Sequence, residues 1–70
     1  MTKTIQIEGM SCTHCVGAVT KELESLDGVV SVNVSLEAKQ ATVDIAPDAV
    51  TDDMLREAVV EAGFTVNGIV

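Results

Sequence analysis

Hydrophobic and polar residues alternate in four short segments of this chain, a pattern typical of strands with one buried face. In residues 2–8, two isoleucines point to one side and polar side chains to the other. In residues 30–35, Val30 and two further valines share a face. The other two segments are residues 40–45 and 64–67. The alternation therefore predicts four strands, and Pro47 closes the third because it lacks the N–H that a central ladder needs.

Two further segments show helical spacing. From about His14 to Leu26, apolar residues recur every three or four positions. We expect Ser11 or Thr13 to be the N-cap of this helix, and Gly28 to be its left-handed C-cap.

The second predicted helix begins after Thr51, a good N-cap, and ends at Gly63. Two aspartates in its first turn suit the positive end of the helix dipole. Its apolar stripe, in which we expect Met54 to be a core residue, comprises Met54, Leu55, Ala58, Val59 and Ala62.

The predicted order is strand, helix, strand, strand, helix, strand. Because every strand has one apolar face, two helices packed on one face of an antiparallel sheet satisfy the pattern. The sequence therefore predicts an α+β fold, the ferredoxin-like βαββαβ sandwich with a four-stranded antiparallel sheet. Its length fits a single domain over residues 1–70.

The charge of the chain argues against one class of partner. Eleven acidic residues against four basic ones give a net charge of −7, and Phe64 is the sole aromatic residue. Phosphate backbones would be repelled, and single strands would find few stacking platforms, so we expect no nucleic-acid binding. The acidic surface suits a protein partner with a basic docking patch, or serves only solubility.

The hydropathy of the chain argues against membrane insertion. No uncharged apolar stretch approaches the roughly 18 residues of a membrane span. Lys3 is followed by polar Thr4 and Gln6 rather than by the apolar core of a signal peptide. We therefore expect a cytoplasmic protein.

Cys12 and Cys15 are the only cysteines, and they are too close in sequence for a disulfide between them to staple the fold. Their spacing, across the start of the first predicted helix, lets both sulfurs converge on one point. The helix N-terminus favours thiolate over thiol, and thiolates prefer soft ions such as Cu(I) or Zn(II). Two thiolates suffice for Cu(I), whereas a tetrahedral zinc site needs two more ligands.

Two neighbours of the cysteines are candidates for additional ligands. His14, the only histidine, is expected to project into solvent and modulate the site, with direct ligation as the alternative. It could also be a third ligand when two molecules share metal. Met10 has a thioether that suits Cu(I), but a methionine at this position more often plugs the core and fixes the shape of the loop. Ser11 and Thr13 complete the loop and are expected to shape it around the sulfurs.

Residues 9–15, Gly-Met-Ser-Cys-Thr-His-Cys, resemble the Gly-Met-x-Cys-x-x-Cys signature of heavy-metal-associated domains. This family comprises small copper chaperones and the N-terminal metal-binding domains of copper-transporting P-type ATPases. The resemblance extends across essentially the whole chain. It includes Leu-Asp-Gly-Val at residues 26–29 and Glu-Ala-Gly-Phe-Thr-Val at residues 61–66.

The resemblance implies a carrier rather than an enzyme. Cys12 and Cys15 would hold Cu(I) and pass it by thiolate exchange to a two-cysteine site, such as the metal-binding domain of a copper-transporting P-type ATPase. Met10 would pack inward without ligating. Two carriers could also share copper, which predicts a copper-bridged homodimer.

The chain departs from the family at Phe64, where relatives usually have lysine or tyrosine. Phenylalanine offers neither an ammonium nor a hydroxyl to the sulfurs, so it is expected to act as a hydrophobic shield beside the loop. Charge compensation would then come from the helix terminus, with His14 as a further contributor.

Three alternatives stay open on the sequence. A thiol-disulfide oxidoreductase also uses Cys-x-x-Cys at a helix start, but the tryptophan that often flanks that motif is missing. Zinc or cadmium relatives usually add a carboxylate to the loop, and this loop has none. The chain begins at Met1 without a linker or membrane segment, which favours a free-standing chaperone over the N-terminal domain of an ATPase.

Overall fold

A computed structural model describes all residues, 1–70. Six elements follow one another along the chain in the predicted order. They are β1 (Thr2–Glu8), α1 (Thr13–Glu24), β2 (Val29–Ser35), β3 (Gln40–Ile45), α2 (Asp52–Glu61) and β4 (Thr65–Ile69).

The four strands form one antiparallel sheet in the order β2-β3-β1-β4. β1 and β3 are central, and the buried side chains of Ile5, Ile7 and Val43 lie on the face that the helices cover. Leu23 of α1 and Leu55 of α2 are fully buried in the same cluster. The predicted α+β, ferredoxin-like sandwich is confirmed.

The alternation rule is wrong at Val30. The pairing of β2 with β3 shifts between Val29 and Ser31, and the side chain of Val30 is 71% exposed instead of lying on the apolar face. A bulge of this kind adds one residue to a strand and so moves the alternation out of step.

The end of α1 also differs from the prediction. The helix stops at Glu24, with Ser25 as its C-cap, two residues before Leu26. Gly28 does adopt a positive φ of 98°, but it does so in the turn that leads into β2. That turn packs so closely on the segment before α2 that a β-carbon on Gly28 would lie 2.6 Å from the Cβ of Ala49.

α2 forms as predicted at both ends. The Oγ1 of Thr51 accepts a hydrogen bond from the Met54 backbone N–H at 3.3 Å, and Gly63 ends the helix with a φ of 97°. The N–H groups of Gly63 and Phe64 donate to the carbonyls of Val60 and Val59, the pairing of a Schellman motif. Met54 is only partly buried, so it lies at the edge of the core and not within it.

Neither helix has the length and hydrophobicity to span a lipid bilayer.

Candidate metal centre

The segment between β1 and α1 lies where three connections meet at one end of the sheet. β1 runs toward this end, and the β2–β3 turn and the α2–β4 connection share it. The backbone N–H of Ile7 donates to the carbonyl of Lys39 in the β2–β3 turn at 2.9 Å. From the α2–β4 connection, the ring of Phe64 comes so close to Gly9 that a β-carbon there would be 3.3 Å from Cδ1. The connection between β1 and α1 is therefore held in place on one side by the β2–β3 turn and on the other by Phe64.

Cys12 and Cys15 face each other at the first turn of α1, and their sulfurs are 3.5 Å apart. Cys12 is exposed and Cys15 is half-buried. The carbonyl of Cys12 accepts hydrogen bonds from the backbone N–H groups of Cys15 at 3.1 Å and Val16 at 3.4 Å. The helix begins there, so Cys12 itself is the N-cap.

The prediction that Ser11 or Thr13 is the N-cap of α1 is therefore wrong. Thr13 is the first residue of α1, and no side chain caps the helix by a hydrogen bond. Cysteine is a poorer capping residue than serine or threonine, and it provides no side-chain oxygen of the kind that Thr51 provides at α2. The N–H groups of Thr13 and His14, at the start of α1, therefore have no hydrogen-bond acceptor in the chain. Those groups point their partial positive charge toward the place where the sulfurs meet.

The backbone around the loop favours ionisation of Cys15. The hydrogen bond from the Ser11 backbone lowers the pKa of the Cys15 thiol most, and the hydrogen bond with the Cys12 side chain lowers it further. Burial opposes these effects but does not outweigh them. The effect of the Ser11 backbone on the pKa of Cys15 could not be predicted from the sequence, because nearly every residue has the same backbone N–H.

The remaining predicted residues take distinct positions around the pair. The side chain of Met10 is 6% exposed and belongs to the hydrophobic core. Ser11, Thr13 and His14 are exposed. Phe64 is half-buried and packs against the core beside the loop.

Comparison with known proteins places the chain in a family. The sequence profile of the heavy-metal-associated domain matches residues 4–65. The chain belongs to the heavy-metal-associated domain family. The resemblance inferred from residues 9–15 is thereby confirmed.

Several relatives of this heavy-metal-associated domain match along nearly their whole length. The chain is 48% identical over 65 residues to the copper chaperone CopZ of Staphylococcus saprophyticus, covering 93% of this chain and 96% of that protein. The solved structure of a CopZ metallochaperone superposes with a TM-score of 0.91 at 35% identity, covering 94% and 98% of the two chains. A copper-binding domain of a P-type ATPase gives a TM-score of 0.92 at 30% identity, covering 100% and 95%.

The candidate donor set of this heavy-metal-associated domain is a pair of sulfurs, those of Cys12 and Cys15. No group of three or more His, Cys, Asp or Glu side chains is arranged to hold a metal ion. Sulfurs 3.5 Å apart can both lie within the roughly 2.3 Å of a metal–thiolate bond to one ion. A linear arrangement would need them about 4.6 Å apart, so the exposed Cys12 side chain would have to swing outward by about 1 Å. The pair therefore fits one soft ion with few ligands.

Proposed function

We propose that this chain is a copper chaperone that carries Cu(I) between Cys12 and Cys15. The observation that carries the proposal is the pair of free thiols, 3.5 Å apart at an uncapped helix N-terminus. The chain's relatives include a protein named as a copper chaperone, which supports the same conclusion.

The choice of Cu(I) follows from donor chemistry. Thiolates are soft ligands and select Cu(I), whereas structural zinc is held by four ligands in a closed tetrahedron. Two thiolates give a net negative charge with Cu(I), and the N–H groups at the start of α1 stabilise that charge. Since the thiols must stay reduced, carriage would take place in a reducing compartment such as the cytoplasm.

Release would occur by exchange of thiolates. A thiolate of the partner enters beside the exposed Cys12 to give an ion shared by three sulfurs, and one of the first two sulfurs then leaves. The ion remains Cu(I) throughout, because no electron is transferred. The incoming thiol gives up its proton, and the departing thiolate takes one from solvent. A closed four-ligand site would block the entry on which this exchange depends.

The proposed acceptor is a domain of similar fold that carries its own cysteine pair. The structural likeness to a copper-binding domain of a P-type ATPase supports this class of acceptor. The net charge of −7 would favour association with a positively charged docking face and make the rate of association fall as salt is added.

Anaerobic Cu(I) titration in competition with a chelator tests the proposal. The wild-type chain should bind one Cu(I) tightly, and a variant with both Cys12→Ser and Cys15→Ser should lose that binding. Met10→Leu is the matched control, because Met10 is a core residue and the change keeps its volume. Tight one-to-one binding in the double variant would contradict the proposal, as would binding Zn(II) more tightly than Cu(I).

The same open coordination predicts that two copies can share copper. We expect the sedimentation coefficient to rise when Cu(I) is added and to stay constant in the double cysteine variant. A chain that remains monomeric at every copper ratio would contradict this expectation without affecting one-to-one binding.

A further inference from the structure

The two edge strands of the sheet carry no charged side chain. β2 and β4 each pair with a neighbour on one side only, because the strand order is β2-β3-β1-β4. The central strands contain three charged residues, Lys3, Glu8 and Asp44, whereas residues 29–35 and 65–69 contain none. Natural sheets often place charges, especially lysine, on their edges, where these block pairing with another chain. The edges of this sheet are therefore open to a further strand.

β2 is the edge better suited to accept another strand. It has seven residues, four of them valine, and neither glycine nor proline. Beyond the bulge near Val29 it pairs regularly with β3 from Ser31 to Ser35. β4 has only five residues, one of them Gly68, and its pairing with β1 shifts near its middle. Length and regularity thus favour β2, since short, bulged or glycine-containing strands resist the addition of another strand.

An exposed valine lies at the start of the β2 edge. The side chain of Val30 is 71% exposed, whereas the other valines of β2 are half-buried. If β2 pairs antiparallel with the β2 of a second copy, the start of each strand lies beside the end of the other. Each Val30 would then be covered by the C-terminal half of the other copy's β2. Self-pairing would therefore remove apolar surface from water at both ends of the paired segment.

The charge of the chain favours an uncharged contact for self-association. Each copy has a net charge of −7, so two copies repel each other. Residues 28–36 form an uncharged stretch between Asp27 and Glu37, so pairing of β2 with itself places no like charges opposite each other within the strands. At the two ends of the pair, Asp27 of one copy comes toward Glu37 of the other. This acidic contact keeps the association weak, and dissolved salt screens it.

We propose that β2 is a self-association edge, along which two copies pair antiparallel without metal and join their sheets into one. The backbone N–H and C=O groups on the outer side of β2 would supply the hydrogen bonds. β2 ends at the β2–β3 turn, which shares one end of the sheet with the loop of Cys12 and Cys15. Antiparallel pairing therefore places the two cysteine loops at opposite ends of the joined sheet. The contact differs from copper bridging, which joins the cysteine loops, and it does not rest on the proposed function.

Concentration series of the apo chain, kept reduced and free of copper by a chelator, test the inference. Sedimentation equilibrium gives the Kd of the dimer, and ¹⁵N NMR spectra show which backbone amides respond to concentration. Asn33→Lys and Ser31→Lys each place a lysine at an exposed position of β2. Asn67→Lys is the matched control, because Asn67 is exposed on the other edge strand, β4, and the change in net charge is the same.

We expect the apo wild-type chain to form a weak dimer, with a Kd of about 0.1–1 mM that decreases as salt is added. The amide signals that shift with concentration should belong to β2 and to the residues beside it. Each lysine on β2 should raise the Kd at least about tenfold without changing the melting temperature. Asn67→Lys should dimerise at least as well as wild type, because its lysine lowers the repulsion between the acidic copies.

Three results would each overturn the inference. The first is an apo wild-type chain that stays monomeric at millimolar concentration and high salt. The second is a dimer that the lysines on β2 leave unchanged, or that Asn67→Lys weakens to the same extent. The third is a dimer that disappears when Cys12 and Cys15 are both replaced by serine, because the cysteine loops and not the edge of β2 would then join the copies.

Discussion

Two glycines share one backbone conformation but have different surroundings, which allows strain and contact to be measured separately. Gly28 has a φ of 98° and Gly63 a φ of 97°. A β-carbon on Gly28 would lie 2.6 Å from the Cβ of Ala49 and 2.9 Å from the Cγ2 of Val50, whereas one on Gly63 would meet nothing within 4 Å. Alanine at either position therefore imposes the same left-handed strain, and only at Gly28 does it add a clash.

The magnitudes follow from these two effects. A left-handed conformation costs a residue with a β-carbon about 1–2 kcal/mol, which is the whole expectation for Gly63→Ala. The clash at Gly28 adds about 1–3 kcal/mol, the usual cost of overpacking. The methyl of Ala49 cannot rotate away, and Val50 is a core residue, so the loop itself must shift. Gly28→Ala should therefore lose about 2–5 kcal/mol, a large part of the stability of a domain of this size.

Urea denaturation followed by circular dichroism measures both free energies of unfolding. A difference of at least about 1 kcal/mol between the two variants is expected, with a gap in melting temperature of about 4–8 °C for each kcal/mol. Equal losses of unfolding free energy in the two variants would refute the contact at Gly28. A Gly63→Ala variant as stable as wild type would refute the cost of the left-handed backbone. Gly28 lies in the turn between α1 and β2, at the other end of α1 from Cys12 and Cys15. The Cu(I) affinity of the folded variant should therefore not change.

Further predictions concern the caps, a turn and the thiols. Thr51→Ala should lower the free energy of unfolding by about 1 kcal/mol because it removes the cap of α2. Thr51→Ser should keep the cap and the stability of wild type. Lys39→Gly should raise that free energy by about 0.5–1 kcal/mol, since Lys39 has a φ of 57°. When the rate of Cys15 alkylation is followed against pH, the half-maximal rate should occur at a pH below the ordinary pKa of a thiol. This midpoint pH should rise in Cys12→Ala, because the variant lacks the Cys12 side chain, the second-largest cause of the lowered pKa. Cys12→Ser should resist urea at least as well as wild type, because serine caps helices better than cysteine, and yet bind Cu(I) weakly. A normal midpoint for Cys15, or a less stable Cys12→Ser, would contradict the account of the helix terminus.

The sheet could be predicted because alternation reports which face of a strand is buried. Ile5 and Ile7 lie in the core as their spacing indicated, and β3 has the predicted bounds. The exception is Val30, which pattern alone assigned to the apolar face. A bulge changes the pairing of two strands without changing the composition of either, so the exposure of Val30 depends on tertiary pairing that periodicity does not record.

In the candidate metal centre, the proximity of the two sulfurs could be predicted from the sequence, but the arrangement of the backbone could not. The spacing of Cys12 and Cys15 and the nearby start of a helix were enough to place the two thiols together. The sequence could not reveal which residue caps α1, because Ser11 and Thr13 are both better capping residues than the cysteine that takes the position. A local preference for oxygen caps was overridden by the path of the loop, which Phe64 and the β2–β3 turn hold in place.

The two helices begin in opposite ways, and the contrast gives a reason why the proposed Cu(I) site lies at the start of α1 and not of α2. α2 begins with the hydroxyl of Thr51 on a backbone N–H and two aspartates in the first turn, so its positive end is already neutralised by residues of the chain. α1 begins with Cys12 and has no capping hydrogen bond from a side chain and no acidic residue in its first turn. The N–H groups of Thr13 and His14 therefore stay free to stabilise thiolates. Serine at position 12 would strengthen the helix, but its hard oxygen would be a poor ligand for a soft ion. Stability at the start of α1 and affinity for Cu(I) thus make opposite demands on the same residue, and the presence of cysteine there favours the ion.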